Sequence, residues 1–355
     1  MSKYKINGLP WNSGIGVDVS DCTSSHEVME KAKLNFIVDK CELMSKMPFQ
    51  VNGNNKINTI AGEFAHNGHL FRNCPNAYGT YRTDINAPLG LVKAKYEVVQ
   101  NRDAFDFFDD AIGEGKAVWD RAGCFGYGHK IFVSAKLPVE TIVGKDKIDN
   151  YLVFSNSHDG STSVNILFSP IRVICTNMLN SAFNSAESYI RFRHTSKVKE
   201  KLQRGAEILR IACEHAKTAQ DIYNSLLKIK MSDEQVMRYI STLVLNEAEL
   251  KAVDSYNPKF GIVKLFAKDY ATMEEANISM RKVGILTNMF EYYLDGIGQQ
   301  HIAGTAWGAY NSITGFYSNV ANLEGEKRVD SLLWGGANKN MLKALNNSFE
   351  YANVG

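Results

Sequence analysis

The sequence predicts an α+β protein, with a β-rich antiparallel-sheet core over residues 1–195 and a mostly helical region over residues 196–355. Three observations carry this. Apolar residues alternate or form short blocks before residue 195 and recur every three or four residues after it. The stretch from Tyr151 to Phe183 reads as strand, turn, strand and then a capped helix, which joins the two modes. With 45% apolar and 22% charged residues, and only seven prolines in 355, the chain has the composition of a folded globular protein without long disordered linkers.

Leu9 to Gly16 is a loop anchored by Trp11. Ser24 or Ser25 then starts a helix reaching about Lys33. Phe36, Val38 and Cys41 alternate as in a strand, and Ile57 to Leu70 holds His66 and His69 in a Gly/Asn-rich turn, with Cys74 beyond. Residues 78–101 read as a hairpin turning at Asn86 to Gly90. Phe105, Phe108 and Ile112 form the apolar face of a short acidic helix, Asp103 to Ile112. Gly123 to Val139 is strand-like, and Ile142 to Asn150 reads as a polar connection.

Within the joining stretch, Asp159-Gly160 supplies the positive φ of a tight turn between Tyr151–Asn156 and Val164–Phe168. Pro170 lacks an N–H and interrupts the ladder, so the pairing should break or reach an edge there, before a further run, Ile171 to Cys175. Thr176 or Asn177 caps a helix beginning at Met178. Tyr189 to His194 is a short strand, after which Thr195 or Ser196 caps a long helix to about Leu227. Its narrow seam (Val198, Leu202, Gly205, Leu209, Ala212, Ala216, Ala219, Tyr223, Leu226) predicts packing along another helix. Ser232 and Gln235 form a capping box for Asp233–Leu245. Helical patterns follow at Lys259–Phe266, Thr272–Tyr293, Ile302–Tyr317, Asp330–Leu333 and Asn338–Tyr351, with Gly304, Gly308 and Gly315 permitting close backbone approach.

The chemistry-bearing patterns are few. The six cysteines include no CxxC pair, and there is no P-loop, dinucleotide-binding glycine fingerprint, HExxH helix or GxSxG elbow. His66, His69 and Cys74 resemble a partial metal site lacking a fourth ligand, and Asp106, Asp109 and Asp110 an acidic cluster whose alternative is a solvated helix face. His158, Asp159 and Ser161 contain the side chains of a hydrolase triad, but neighbours in a tight turn point apart. No cofactor is expected. The polar opening and the lack of any apolar run near 18 residues imply a cytoplasmic chain with no membrane partner.

The net charge of +2 hides an asymmetry: Arg191 to Lys230 carries ten Lys/Arg against four acids. If Pro170–Cys175 and Tyr189–His194 are neighbouring strands, Arg172, Arg191 and Arg193 could share a face leading into Lys197, Lys199 and Lys201 at a helix N-terminus. Such a face would draw phosphates, and these six residues are the candidate nucleic-acid contacts; the alternative is a solvated charged helix.

Several fragments occur together: Pro10-Trp11 with Gly14 and Gly16; Tyr81-Arg82-Thr83-Asp84 with Leu89-Gly90; Asn156 to Ser161; Arg172 to Asn177; Arg193-His194-Thr195; and Gly304 to Asn311. In this order they resemble the phage/plasmid-like protein family known as domain of unknown function 932, except that Asn12 stands where a His is common. The resemblance implies a bacterial host cell and a role in mobile-element biology, and it supplies no catalytic residues. The order of hairpins, helix and basic helices is also similar, at fold level, to phage single-strand annealing proteins. The expectation is therefore a non-enzymatic DNA-binding protein of recombination or replication, annealing single-stranded DNA as a homo-oligomer. The rivals are a metal-dependent enzyme acting on nucleic acid or nucleotides, and a structural or host-takeover protein binding protein partners.

Overall fold

The computed structural model describes residues 4, 7, 9, 14–48, 63–66, 69–113, 117–172, 189–194 and 205–353. Its centre is a six-stranded antiparallel sheet. The strands are β1 (Gly16–Asp18), β6 (Val118–Phe125), β7 (Lys130–Val143), β8 (Asp146–Ser157), β9 (Val164–Arg172) and β10 (Tyr189–Phe192), in that spatial order. A second sheet places β4 (His69–Arg82) between β2 (Val38–Pro48) and β3 (Glu63–His66), with β5 (Ala87–Lys93) also paired to β4.

The central strands are near-continuous apolar runs because both faces of the sheet are covered. Ile131, Val133, Ala135, Leu152, Phe154, Ile166 and Phe168 belong to one buried cluster. Phe132, Tyr151, Val153 and Leu167, the alternate positions, belong to another. The first cluster includes α1 (Ser25–Lys31), α2 (Asn101–Gly113) and α3 (Gly205–Lys228), and runs on to Leu345. The second packs on α10 (Gly325–Leu333) and α11 (Gly336–Asn353) through Val329, Leu332, Leu333 and Met341. Strands give way to helices after β10, as expected, yet one apolar core runs through both parts of the chain.

Several local expectations need correction. The β4–β5 turn occupies residues 83–86, with Asn86 at φ 52°, so Pro88 and Gly90 lie inside β5. Residues 142–150 are the tip of the β7–β8 hairpin, turning at Gly144 with φ 58°. Pro170 does not break the pairing with β8, where it stands opposite Asn150 and β9 continues to Arg172 opposite Ile148. Among the described residues β10 reaches only Leu167 on the other side, so Pro170 lies at an edge there, as the second of the two expected outcomes has it. The pattern over Thr272–Tyr293 splits into α7 (Tyr270–Glu275) and α8 (Met280–Asp295), because Asn277 turns left-handed at φ 52° and Ser279 caps the second helix. Trp11, Cys175 and the helix expected from Met178 lie outside the described residues, as does the start of the helix expected from Ser196.

The described part of α3 packs along another helix, as the seam implies, and on a strand as well. Thr141 Oγ1 donates to the Ala216 carbonyl at 3.2 Å, the Ile142 N–H to Gln220 at 2.9 Å, and Asn224 to the Ile142 carbonyl at 3.0 Å. Beyond α3 come α4 (Asp233–Val244), α5 (Glu247–Tyr256), α6 (Gly261–Phe266) and α9 (Ala306–Asn319). The Ser232–Gln235 capping box is formed as expected. Helix α9 is apolar on most sides and nearly wholly buried. Its Trp307 ring lies 4.4 Å from that of Tyr223. Gly308 faces the Ile302 carbonyl and Gly315 the Tyr292 ring, so these glycines serve contacts inside the chain.

Candidate nucleic-acid interface

The site begins with the way the two sheets meet. A Cβ on Gly90 of β5 would collide with the Asp159 backbone, and one on Gly160, at φ 75°, would stand 2.9 Å from Val92 Cγ1. Two glycines thus let the β5 strand and the β8–β9 turn touch backbone to backbone. Thr80 Oγ1 donates to the His158 carbonyl at 2.6 Å, and the Tyr96 hydroxyl to the Ser157 carbonyl at 2.7 Å. Ser157 Oγ and Thr162 hydrogen-bond reciprocally, which holds the turn.

Where these parts join lies a groove of about 580 Å³, walled by Leu91–Lys93, Lys95 and Tyr96 on one side and by the Gly160–Ser163 turn, Arg193 and His194 on the other. Lys93, Lys95 and Arg193 are exposed. The Tyr96 ring stacks on the His194 ring at 4.4 Å and 19°. His194 Nδ1 lies 3.1 Å from the Glu97 carbonyl oxygen and so carries its proton there, while the Glu97 N–H donates back to the His194 carbonyl at 3.1 Å. Burial lowers the pKa of His194 below the ordinary imidazole value and raises that of the Tyr96 phenol. The fixed positive charge of the groove is therefore carried by two lysines and one arginine, with a neutral aromatic pair in its wall.

His158 lies beneath this groove, fully buried. Its Nε2 is 2.8 Å from Asn101 Oδ1, and Asn101 Nδ2 donates to the Leu34 carbonyl at 2.8 Å, which makes His158 Nε2 the protonated nitrogen. Burial pushes its pKa down to about 3, with repulsion from His194 adding to the effect. Asp159 Oδ1 accepts from the Ser161 N–H at 2.8 Å in a local turn. The triad-like residues diverge, as expected, and His158 is a structural post.

Of the six predicted contacts, Arg193 lines the groove. Strand β10 pairs with the Val164–Leu167 part of β9, and not with the described part of the Pro170–Cys175 run considered above. Position 191 pairs with Asn165, seven residues along β9 from position 172. Lys197, Lys199 and Lys201 lie outside the described residues. Lys93 and Lys95 escaped sequence reasoning. Their only local signal is a Lys-Ala-Lys alternation, and Arg193 joins them from about a hundred residues away.

The imagined His66, His69 and Cys74 set does not converge, while Asp106 and Asp109 of the acidic cluster both reach the Ser25 hydroxyl. His66 and His69 face each other across β3 and β4, whereas Cys74 is five positions from His69, on the opposite face of β4. Asp109 accepts from both the backbone N–H and the hydroxyl of Ser25, at 2.6 and 2.5 Å, so it joins α1 to α2. Among the described residues no group of three or more His, Cys, Asp or Glu is placed to hold a metal ion. No helix among them is long and apolar enough to cross a membrane.

Compared with known proteins, the chain matches the family described as Domain of unknown function (DUF932) over residues 88–344. No curated protein and no solved structure matches it. The matched region contains the whole groove.

Proposed function

The chain belongs to the domain of unknown function DUF932 family, and from that premise we propose that it binds single-stranded DNA in the Lys93–Lys95–Arg193 groove, as a recombination or replication protein of a mobile element. The observation that carries the reading is the convergence of three exposed cations on one groove that also contains the Tyr96 ring. Single-strand binding needs cations that follow the backbone and an aromatic face on which a base stacks. The most concrete activity is annealing of complementary strands by a homo-oligomer, which requires no nucleophile, metal or cofactor.

The test is fluorescence anisotropy with a labelled 30-nucleotide single strand across a salt series. Each neutralised phosphate contributes about −0.7 to the slope of log K against log salt. The Lys93→Ala/Lys95→Ala/Arg193→Ala variant should therefore bind more weakly at every sequence and flatten the slope by about two. A folded triple variant with unchanged affinity and slope overturns the reading.

A further inference from the structure

The second sheet projects beyond the core as a tongue. Val38 and Gly79 are buried, but none of the described residues from Asp39 to Met47, in β3, or from His69 to Tyr78 is. Yet apolar side chains are present: Met44 is 37% and Phe64 48% exposed, and Phe64 stacks on Phe71 at 4.9 Å. Two or three strands without a buried face are marginal alone, so this tongue calls for a cover.

Strand β2 forms one side of it. Near the core, its free edge is closed by the Gln100 side chain, which accepts from the Val38 N–H at 3.1 Å and donates to the Val38 carbonyl at 2.7 Å. Beyond that point, among the described residues, β2 pairs with β4 alone. Among the described residues the Asp39–Pro48 part of β2 has no second strand beside it, and such an edge is a template for another strand.

Charge selects the occupant. Between Asp39 and Tyr78 the sequence holds Lys40, Lys46, Lys56 and Arg72 against Asp39, Glu42 and Glu63, a near balance that repels its own copy little. Antiparallel pairing of β2 with a second β2 about a two-fold axis at Met44 places Glu42 opposite Lys46 of the other copy, twice, and sets no like charges together. We propose that β2 is a self-association edge, and that two copies of this chain join their tongues through Lys40–Pro48. The proposal stands apart from the groove.

The experiment is sedimentation equilibrium of the full chain from 1 to 200 μM, without nucleic acid. The wild type should associate beyond one 39.6 kDa chain. Lys46→Glu should weaken association roughly tenfold by setting acids opposite acids, and Glu42→Lys with Lys46→Glu should restore it. Hydrogen exchange provides an arm that needs no variant: amides of residues 42–48 should gain protection as wild-type concentration rises. The Lys93, Lys95 and Arg193 alanine variants should associate like the wild type. A wild type that stays one chain throughout, or association that Lys46→Glu leaves unchanged in a folded variant, overturns the proposal, as does association that appears only with single-stranded DNA.

Discussion

The imidazole of His158 and the side-chain amide of Asn101 are locked together under the groove. Nε2 is 2.8 Å from Asn101 Oδ1, and Asn101 is itself tied to the Leu34 carbonyl. The pair joins the β8–β9 turn to the start of α2, and burial of the ring, with Nδ1 unpartnered, favours its neutral form. The structure therefore has a built-in acid sensitivity. In the unfolded chain His158 protonates near the ordinary value of 6.5, whereas in the folded chain burial holds it down to about 3. Between those values the unfolded state binds the extra proton, so stability falls as pH falls. His194, also lowered by burial, acts in the same direction. The urea midpoint should drop from pH 7 to pH 4. His158→Gln should cost about 1–3 kcal/mol at pH 7 through lost hydrogen bonding and shape, and should flatten the pH dependence. An unchanged pH slope in that variant would show that other groups dominate acid unfolding.

Gly90→Ala tests how the sheets meet. Its methyl group would meet the Asp159 backbone, which has no flexible end to move aside. Overpacking of this kind costs about 1–3 kcal/mol. Gly304→Ala is the contrast: nothing stands within 4 Å of its Cβ, and only the left-handed φ of 75° opposes it. That backbone cost is about 1–2 kcal/mol. Both should lower the denaturation midpoint, but only Gly90→Ala should also weaken binding in the groove.

In α9 two effects oppose each other at Gly315. Alanine gains about 1 kcal/mol of helix propensity over glycine. Its methyl group would run into the Tyr292 ring, which is 1% exposed and cannot swing into solvent. The overpacking term, about 1–3 kcal/mol, should win, and Gly315→Ala should be destabilising by thermal and urea melts. A stabilised variant would mean that Tyr292 can repack.

Legibility in the sequence followed distance along the chain. The Ser232–Gln235 capping box spans three residues and forms as expected. The turn at Asp159-Gly160 was legible for the same reason. Pro88 and Gly90 resembled the residues of a turn, but Gly90 is required by the Asp159 backbone some seventy residues later, a constraint no local pattern carries. Pro170 leaves the ladder with β8 intact, and on its other side β10 reaches only Leu167, so among the described residues it stands at the edge that its missing N–H allows. The groove was half legible. Arg193 stood in an obvious charge run, whereas Lys93 and Lys95 acquire meaning only when β5 docks on the β8–β9 turn.

Asp109 gives the acidic helix a structural role that can be measured. Its carboxylate receives two hydrogen bonds from Ser25, the residue that opens α1. A carboxylate at a helix N-terminus is favoured by the dipole as well as by the donors. Asp109→Ala should cost about 1–2 kcal/mol, in the range of a lost N-terminal cap. If Asp109 were instead a metal ligand, the variant would lose a divalent-cation dependence that the wild type displays in thermal shift. No such dependence is expected.

Arg172 and Arg193 give the last and sharpest comparison, since the sequence places both in one basic set and the strand register separates them. Along β9, position 172 lies seven residues from the partner of position 191, about 23 Å at the rise of a strand. A single-stranded backbone held between Lys93, Lys95 and Arg193 does not reach that far without leaving the groove. The proposed function therefore predicts that Arg193→Ala reduces the salt slope by roughly 0.7 while Arg172→Ala, where it folds, leaves the slope unchanged. Circular dichroism and the urea midpoint establish folding for both. Equal reductions from the two variants would mean that the strand follows β9 rather than the groove, and the site would have to be moved there. No effect from either would remove Arg193 from the interface and leave the charge run as a solvated face.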